Sequence, residues 1–107
     1  MPARKVTDAT FETEVLDTER TVLVDFWAPW CPPCRAIGPV IDELAATHAD
    51  KLDIVKVNVD ENPLSSAKYR VTSIPALKVY RAGKVIKTIL GAMPKSDLEA
   101  ELAEYLT

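Results

Sequence analysis

A short apolar run, TVLVDFW at positions 21–27, constrains the fold more than any other part of the chain. It is rich in β-branched and aromatic residues and does not alternate with polar ones, as expected for a strand buried on both faces. A strand of this kind needs covering layers on both sides of its sheet, which predicts an α/β protein. Asp25 is the one ionisable residue within the run.

The hydrophobic pattern of the rest of the chain alternates between helix and strand and closes with a hairpin. Apolar residues three and four positions apart predict helices, and shorter apolar or alternating runs predict strands. Thr7 or Asp8 could cap the first helix, and Gly83 marks the hairpin turn. The predicted helices lie within residues 6–16, 34–48, 62–69 and 94–106, and the predicted strands cover residues 21–27, 52–59, 76–80 and 84–90. Strands joined through helices and followed by a hairpin predict a mixed sheet.

Length and charge narrow the class of protein further. A chain of 107 residues fits one domain, here residues 1–107. The net charge is −3 and no dense basic run appears, which argues against nucleic acid as a partner. No segment approaches the roughly 20 apolar residues that cross a bilayer, and the N-terminal residues lack the apolar stretch of a signal peptide. We therefore expect a soluble, cytoplasmic protein with no membrane partner.

The only two cysteines, Cys31 and Cys34, lie three positions apart in the segment WCPPCR. A structural disulfide would close a loop of only four residues and contribute about 2 kcal/mol, and cytosolic proteins rarely keep one. A structural zinc ion needs four ligands. The one histidine, His48, is distant along the following helix, so a metal would require a second chain. The spacing favours a redox pair without metal, with an intersubunit metal site and a structural disulfide as the alternatives.

The position of the pair between a strand and a helix supplies a redox mechanism. Cys31 can accept hydrogen bonds from free N–H groups at the helix start, and the helix dipole favours its thiolate, the nucleophilic form. Cys34, one turn inside the helix, is expected to be less accessible and to resolve the mixed disulfide. Pro32 and Pro33 suit the first helical turn and stiffen it, but they remove two N–H donors. The N–H groups of Cys34 and Arg35 are then expected to remain near the sulfur.

Asp25 lies six positions before Cys31 in the apolar strand. Burial of a carboxyl raises its pKa, because desolvation disfavours the charged form. A carboxylate with a raised pKa can take a proton from Cys34 near neutral pH, as general base catalysis requires. The alternative interpretation is a solvated aspartate at the end of a strand.

The segment DFWAPWCPPCR, residues 25–35, closely resembles the active-site segment of the thioredoxin family. The usual pair of that family encloses Gly-Pro, whereas this one encloses Pro-Pro, a difference that concerns redox potential and partner preference rather than fold. The resemblance covers nearly the whole chain, and the further matching positions are Pro39, Lys56, VDENP at 59–63, Ser73-Ile74-Pro75, Gly83 and Gly91.

The resemblance implies a fold and a function. The implied fold is a central mixed five-stranded sheet flanked by four helices. The implied function is a general protein disulfide oxidoreductase that reduces client disulfides, with Cys31 as nucleophile and Cys34 as resolving thiol. It also implies a monomer with no bound cofactor. Its implied partners are client proteins with exposed disulfides and a thioredoxin reductase, an NADPH-dependent flavoprotein that restores the dithiol.

The resemblance also assigns supporting residues. Lys56 would lie near Asp25, where its positive charge opposes the rise of the aspartate pKa. The Ile74–Pro75 bond would be cis and face the active site. Trp30, if exposed, offers a flat apolar surface to a partner polypeptide. The resemblance completes that client-binding surface with Ile74, Pro75, Gly91 and Ala92.

Two other functions stay open on the sequence alone. A thiol oxidant or isomerase would use the same cysteines at a less reducing potential, although no export signal supports it. A non-catalytic binding subunit with the thioredoxin fold would keep its function when both cysteines are replaced by serine.

Overall fold

The computed structural model of the chain describes residues 3–107. Within them a five-stranded sheet has the strand order β1-β3-β2-β4-β5. The strands are β1 Arg4–Lys5, β2 Val22–Trp27, β3 Asp53–Asn58, β4 Ala76–Arg81 and β5 Lys84–Leu90. The helices are a π-helical segment Glu12–Leu16, α1 Pro32–Thr47, α2 Pro63–Lys68 and α3 Lys95–Leu102, which a single 3₁₀ turn, Ala103–Tyr105, continues. The implied five-stranded sheet with four helices is confirmed.

The buried run identified in the sequence forms the central strand. β2 pairs in parallel with β3 and antiparallel with β4. β1 is parallel to β3 and β5 is antiparallel to β4, so the sheet is mixed, as predicted. All residues of β2 are buried except Trp27, which is half-buried. The register places Asp25 opposite Lys56 on β3.

Alternate residues of β2 face two separate cores, because successive side chains of a strand point to opposite faces. Val24 and Phe26 belong to the core formed with the N-terminal segment and with Tyr69 at the end of α2. Leu23 belongs to the other core, whose helical members are Ile37, Ile41 and Leu44 of α1 and Leu98 and Leu102 of α3. By the same alternation, Asp25 lies on the face that α1 covers.

α1 begins at Pro32, two residues before the predicted start, and Cys31 is its N-cap. Prolines suit the first two helical positions, because the N–H groups there have no partner inside the helix. The helix continues through Pro39 to Thr47. Neither α1 nor any other helix within residues 3–107 combines the length and apolar character needed to cross a membrane. The earlier start makes Cys31 the last residue before the helix.

Sequence analysis missed the edge strand β1. It consists of two exposed, charged residues, Arg4 and Lys5, and two residues are too few to show a hydrophobic period. The strand forms because these residues pair in register with Val55 and Lys56. The guanidinium of Arg4 also donates two hydrogen bonds to the Asp53 carboxylate, at 3.2 and 3.0 Å.

Neither Thr7 nor Asp8 caps the first helix, so the predicted capping role is wrong for both residues. The N-terminal π-helical segment has Phe11 at its N-cap and no side-chain cap. The Asp8 carboxylate instead accepts the N–H groups of Leu64 and Ser65 at 3.1 and 2.9 Å, at the start of α2. The Asp8 N–H donates to the side-chain oxygen of Asn62 at 2.8 Å. A residue 56 positions away in sequence therefore satisfies the first donors of α2.

Ala82 and Gly83 connect β4 to β5, and both have positive φ, 52° and 77°. A two-residue hairpin turn with positive φ at both positions is of type I′, for which Asn-Gly is preferred. Gly83 adopts this conformation without steric cost, whereas the Cβ of Ala82 crowds the following carbonyl. Ala82 therefore holds an unfavourable backbone conformation.

Ala82→Asn is expected to raise the free energy of unfolding by about 1 kcal/mol, because asparagine tolerates the left-handed conformation better than alanine does. Urea unfolding measures the change. The matched control is Ala46→Asn at an exposed position of α1, where the same substitution should lower stability by about 0.5 kcal/mol. A loss of stability at both positions would contradict the turn assignment.

Candidate redox site

The junction between β2 and α1 holds the cysteine pair. The Cys31 N–H donates to the Ala28 carbonyl at 3.2 Å, which closes a tight turn over residues 28–31. Pro29 occupies the second turn position, where its fixed φ is favoured. Cys31 then has an extended backbone, with φ −93° and ψ 107°. Its Cα lies 5.2 Å from that of Cys34 in the first helical turn, and the two sulfurs form a disulfide.

One backbone donor reaches the Cys31 sulfur. The Cys34 N–H lies 3.2 Å from Sγ, the contact that a capping side chain makes with the third helical residue. The Arg35 N–H, expected near the same sulfur, donates instead to the Cys31 carbonyl at 3.0 Å. The expectation of two donors is therefore wrong. Capping side chains accept only from the second and third helical positions, so Pro33 removes a possible donor and Pro32 does not.

Both cysteines are buried in the disulfide form. Cys31 is 4% exposed and Cys34 is 2% exposed, so the expected difference in accessibility between them is small in this form. Cys31 is covered because its sulfur is bonded to Cys34 and lies 3.8 Å from the Ile74 carbonyl oxygen. Pro32 and Pro33, between the cysteines, are exposed. The two prolines therefore form part of the protein surface next to the disulfide.

The loop before β4 lies against the cysteine pair. The Ile74–Pro75 bond is cis, as the resemblance implies, and the Ile74 carbonyl faces Cys31. The buried Pro75 accepts a hydrogen bond from the Gly91 N–H at 3.0 Å. Gly91 has φ 82°, a conformation that glycine adopts without strain. Ile74, Pro75 and Gly91 are thus brought together next to Cys31, and the exposed Ala92 follows in the chain.

The side chains of Asp60 and Arg35, which sequence analysis did not assign to the site, hold the turn before Cys31. Trp30 is 64% exposed, and its indole N–H donates to the Asp60 carboxylate at 2.8 Å. The Arg35 guanidinium donates from Nη1 to the Pro29 carbonyl at 2.9 Å. The only sequence signal for Asp60 was its place in the matching VDENP motif. For Arg35, the sequence predicted a role for the backbone N–H but none for the side chain.

Asp25 is buried, at 3% exposure, on the central strand. Burial raises the pKa of its carboxyl from the ordinary 3.8 to about 7, while the positive charge of Lys56 lowers it and the negative charge of Asp42 raises it. Within residues 3–107, Oδ1 of Asp25 has no hydrogen-bond partner. The pKa of Asp25 is therefore raised, as its place in an apolar strand predicts, and it lies near neutral pH.

Lys56 is shared between two carboxyl groups. It is the register partner of Asp25, and its ammonium lies 3.8 Å from Oδ1 of Asp42 and 5.6 Å from the ring centre of Trp27. The same Asp42 oxygen accepts the Ala3 N–H at 2.9 Å. Burial has the largest effect on the Asp25 pKa, so Lys56 offsets only part of the rise, and the negative charge of Asp42 raises the pKa further. Sequence analysis missed Asp42, since a polar residue in a helix carries no sign of its spatial partners.

The cysteine pair is a two-electron couple. Its reduced dithiol can give two electrons to a partner disulfide, and it becomes the internal disulfide again when it does so. On this fold, with the cis-proline loop beside the sulfur, the pair defines a thiol–disulfide oxidoreductase.

Comparisons with known proteins agree with that class. The family model for thioredoxin matches residues 2–104. A thioredoxin from Pyropia yezoensis is 46% identical over 107 residues, the whole of both chains. Thioredoxin 1 from Nostoc sp. is 48% identical over 104 residues, 97% of each chain, and a thioredoxin from Streptomyces clavuligerus is 54% identical over 95 residues, 89% of this chain and 88% of that one. The chain belongs to the thioredoxin family.

Membership of this family and the Cys31–Cys34 pair together make the protein a dithiol–disulfide oxidoreductase. Proteins of the family act in general with a thioredoxin reductase and with disulfide substrates. The alternatives of an oxidant or a non-catalytic subunit are not favoured.

Asp25→Asn is expected to stabilise the folded protein above pH 7 and to have little effect below pH 4. The Asp25 pKa is about 7 in the folded state against an ordinary 3.8, so the folded state binds the extra proton in that interval. Stability therefore falls as the pH rises through the interval. Over the whole interval the free energy of unfolding falls by about 4 kcal/mol, and asparagine avoids this loss because it does not ionise.

Urea unfolding of the oxidised protein across this pH range measures the effect. Asp50→Asn, in an exposed turn, controls for the removal of a carboxylate. The same pH dependence of unfolding with and without the Asp25 carboxyl would contradict its raised pKa.

Pro33→Ala is expected to make reduced Cys31 more reactive, because alanine supplies an N–H at the second helical position, within reach of the sulfur. A hydrogen bond to the thiolate favours that form and should raise the alkylation rate near neutral pH by as much as about tenfold. Pro32→Ala is the matched control, since an N–H at the first position does not reach a capping side chain. Equal alkylation rates for the two variants would show that the prolines act only by stiffening the turn.

Proposed function

We propose that this protein is a general reductant of protein disulfides in which Cys31 is the nucleophile and Cys34 the resolving thiol. The observation that carries the proposal is the hydrogen bond from the Cys34 N–H to the Cys31 sulfur at the start of α1. This bond and the positive end of the helix dipole both favour a thiolate at Cys31. Cys34 lies within the helix, where its own sulfur is not the capping atom.

The reaction has two exchange steps. The Cys31 thiolate attacks one sulfur of a client disulfide, forming a mixed disulfide and releasing the other client sulfur as a thiolate. The Cys34 thiol then loses its proton and attacks the Cys31 sulfur, which releases the second client thiolate. The client gains two electrons and becomes a dithiol, and Cys31 and Cys34 are left joined by a disulfide.

Asp25 is proposed as the general base that takes the proton from Cys34. A pKa of about 7 suits this role, because a base acts best when its pKa is near the working pH. Its buried place on the face covered by α1 supports the proposal, since that helix carries Cys34. Lys56 and Asp42 set the balance of charge around the carboxyl and act through it.

The proposed client surface surrounds the disulfide. Trp30 contributes an exposed aromatic face, and the Ile74 carbonyl lies beside the Cys31 sulfur. Because Pro75 has no N–H and its carbonyl already accepts the Gly91 N–H, the proposed backbone partner of an extended client segment is Ile74. The proposed client-contacting residues are Trp30, Ile74, Pro75, Gly91 and Ala92.

A reductant must be restored after each cycle. We propose that an NADPH-dependent flavoprotein thioredoxin reductase returns the Cys31–Cys34 disulfide to the dithiol, and that the protein works as a monomer in the cytoplasm. The proposed role as a reductant supports the cytoplasm, because a dithiol is maintained in a reducing compartment, whereas an oxidising compartment would keep the disulfide closed.

Reduction of insulin by NADPH and a thioredoxin reductase tests the proposal. The unaltered protein should sustain turnover, and Cys31→Ser should abolish it. Cys34→Ser should accumulate a mixed disulfide between Cys31 and the client, because the resolving thiol is missing. No turnover with a folded, reduced sample would sink the proposal, and a mixed disulfide trapped by Cys31→Ser instead would reverse the two roles.

A further inference from the structure

The turn over residues 28–31 carries Trp30 directly before Cys31. Three hydrogen bonds hold this turn. One is internal, from the Cys31 N–H to the Ala28 carbonyl at 3.2 Å. The other two come from side chains of different elements: the Arg35 guanidinium of α1 binds the Pro29 carbonyl at 2.9 Å, and Asp60, after β3, accepts the Trp30 indole N–H at 2.8 Å.

We infer that Arg35 is a positioning residue for client docking, which acts by fixing the turn that presents Trp30. The inference rests on the proposed function, in which clients dock on Trp30. Arg35 itself need not touch the client or the reacting sulfurs.

The geometry of the turn explains why the hydrogen bond to the Pro29 carbonyl is important. Pro29 and Trp30 are its two central residues, and the peptide between them is its central peptide. Turns of types I and II share the same closing hydrogen bond but differ by a flip of this peptide, which points the carbonyl of the second residue in opposite directions. A donor fixed on that carbonyl therefore selects one of the two turns. Since the flip also changes φ of Trp30, it would change the direction of the indole.

The position of Arg35 suits it to this task. Its backbone is fixed in the first turn of α1, where its N–H donates to the Cys31 carbonyl at 3.0 Å. Its planar guanidinium offers five N–H groups in a rigid fork, so little freedom is lost for each hydrogen bond formed. Arg35 is exposed, and salt screens the charge of an exposed group, whereas a direct hydrogen bond that sets the shape of a turn persists. The effect of salt therefore distinguishes a positioning role of Arg35 from simple attraction between its charge and a charged client.

Arg35→Gln tests the inference in the insulin reduction assay. Loss of the hydrogen bond should raise KM for insulin about fivefold and leave kcat nearly unchanged. The KM effect should persist in about 1 M salt, where the Debye length is about 3 Å. The rate with the uncharged disulfide bis(2-hydroxyethyl) disulfide should stay at the level of the unaltered protein.

A second background tests whether Arg35 acts through Trp30. In Trp30→Ala, addition of Arg35→Gln should change KM no further, because the side chain that the turn presents is already gone. Lys84→Gln, at an exposed site in the distant hairpin, is the control for the loss of one positive charge and should leave KM unchanged.

Three results would each overturn the inference. They are an unchanged KM in Arg35→Gln, an increase in KM that disappears at high salt, and an equal increase in the Trp30→Ala background. A failure of the proposed function is a different outcome, because the unaltered protein itself would then fail to reduce insulin.

Discussion

The hydrogen bond from the Cys34 N–H to the Cys31 sulfur caps the helix and, in the proposed mechanism, also stabilises the Cys31 thiolate. A helix start always leaves N–H groups without partners, and proteins usually satisfy them with an oxygen of serine, threonine or aspartate. Here a sulfur takes that place. Pro33 at the second helical position removes the other N–H that could reach this sulfur, which leaves the Cys34 N–H as its backbone donor. Secondary structure and chemistry are therefore set by the same contact.

The central strand imposes the second condition on the site. β2 is buried between two helical layers, and a carboxyl within it cannot be solvated as it is at the surface. Lys56 lies opposite Asp25 in the register and lowers the pKa of that carboxyl, but it is also 3.8 Å from Asp42. Burial raises the pKa of Asp25, the negative charge of Asp42 raises it further, and Lys56 offsets only part of the rise, so that the pKa is about 7. A carboxyl with that pKa can both accept and release a proton near neutral pH.

Much of this arrangement follows from local patterns in the sequence. The run at 21–27 predicts the buried strand, the RAGK segment predicts the hairpin, and the cysteine spacing at the head of a helix predicts the redox pair. These features depend on residues within a few positions of one another, which hydrophobic period and turn chemistry can indicate.

The parts that were missed depend on contacts between distant segments. Asp8 caps α2 rather than the helix next to it, and Asp60 binds Trp30 across 30 positions. The pairing of Lys56 with Asp42 requires a strand and a helix to be placed side by side. Even the burial of Cys31 results partly from a loop that arrives 43 residues later. No single-sequence pattern encodes such pairings, because propensity and periodicity describe only neighbours along the chain.

The cap that Asp8 provides for α2 has a practical consequence for anyone who shortens or tags the chain. Removal of residues 1–8 by an exopeptidase or in cloning would leave the leading amides of α2 to water, and that helix ends shortly before the loop that carries Ile74. A shortened chain should therefore keep Asp8.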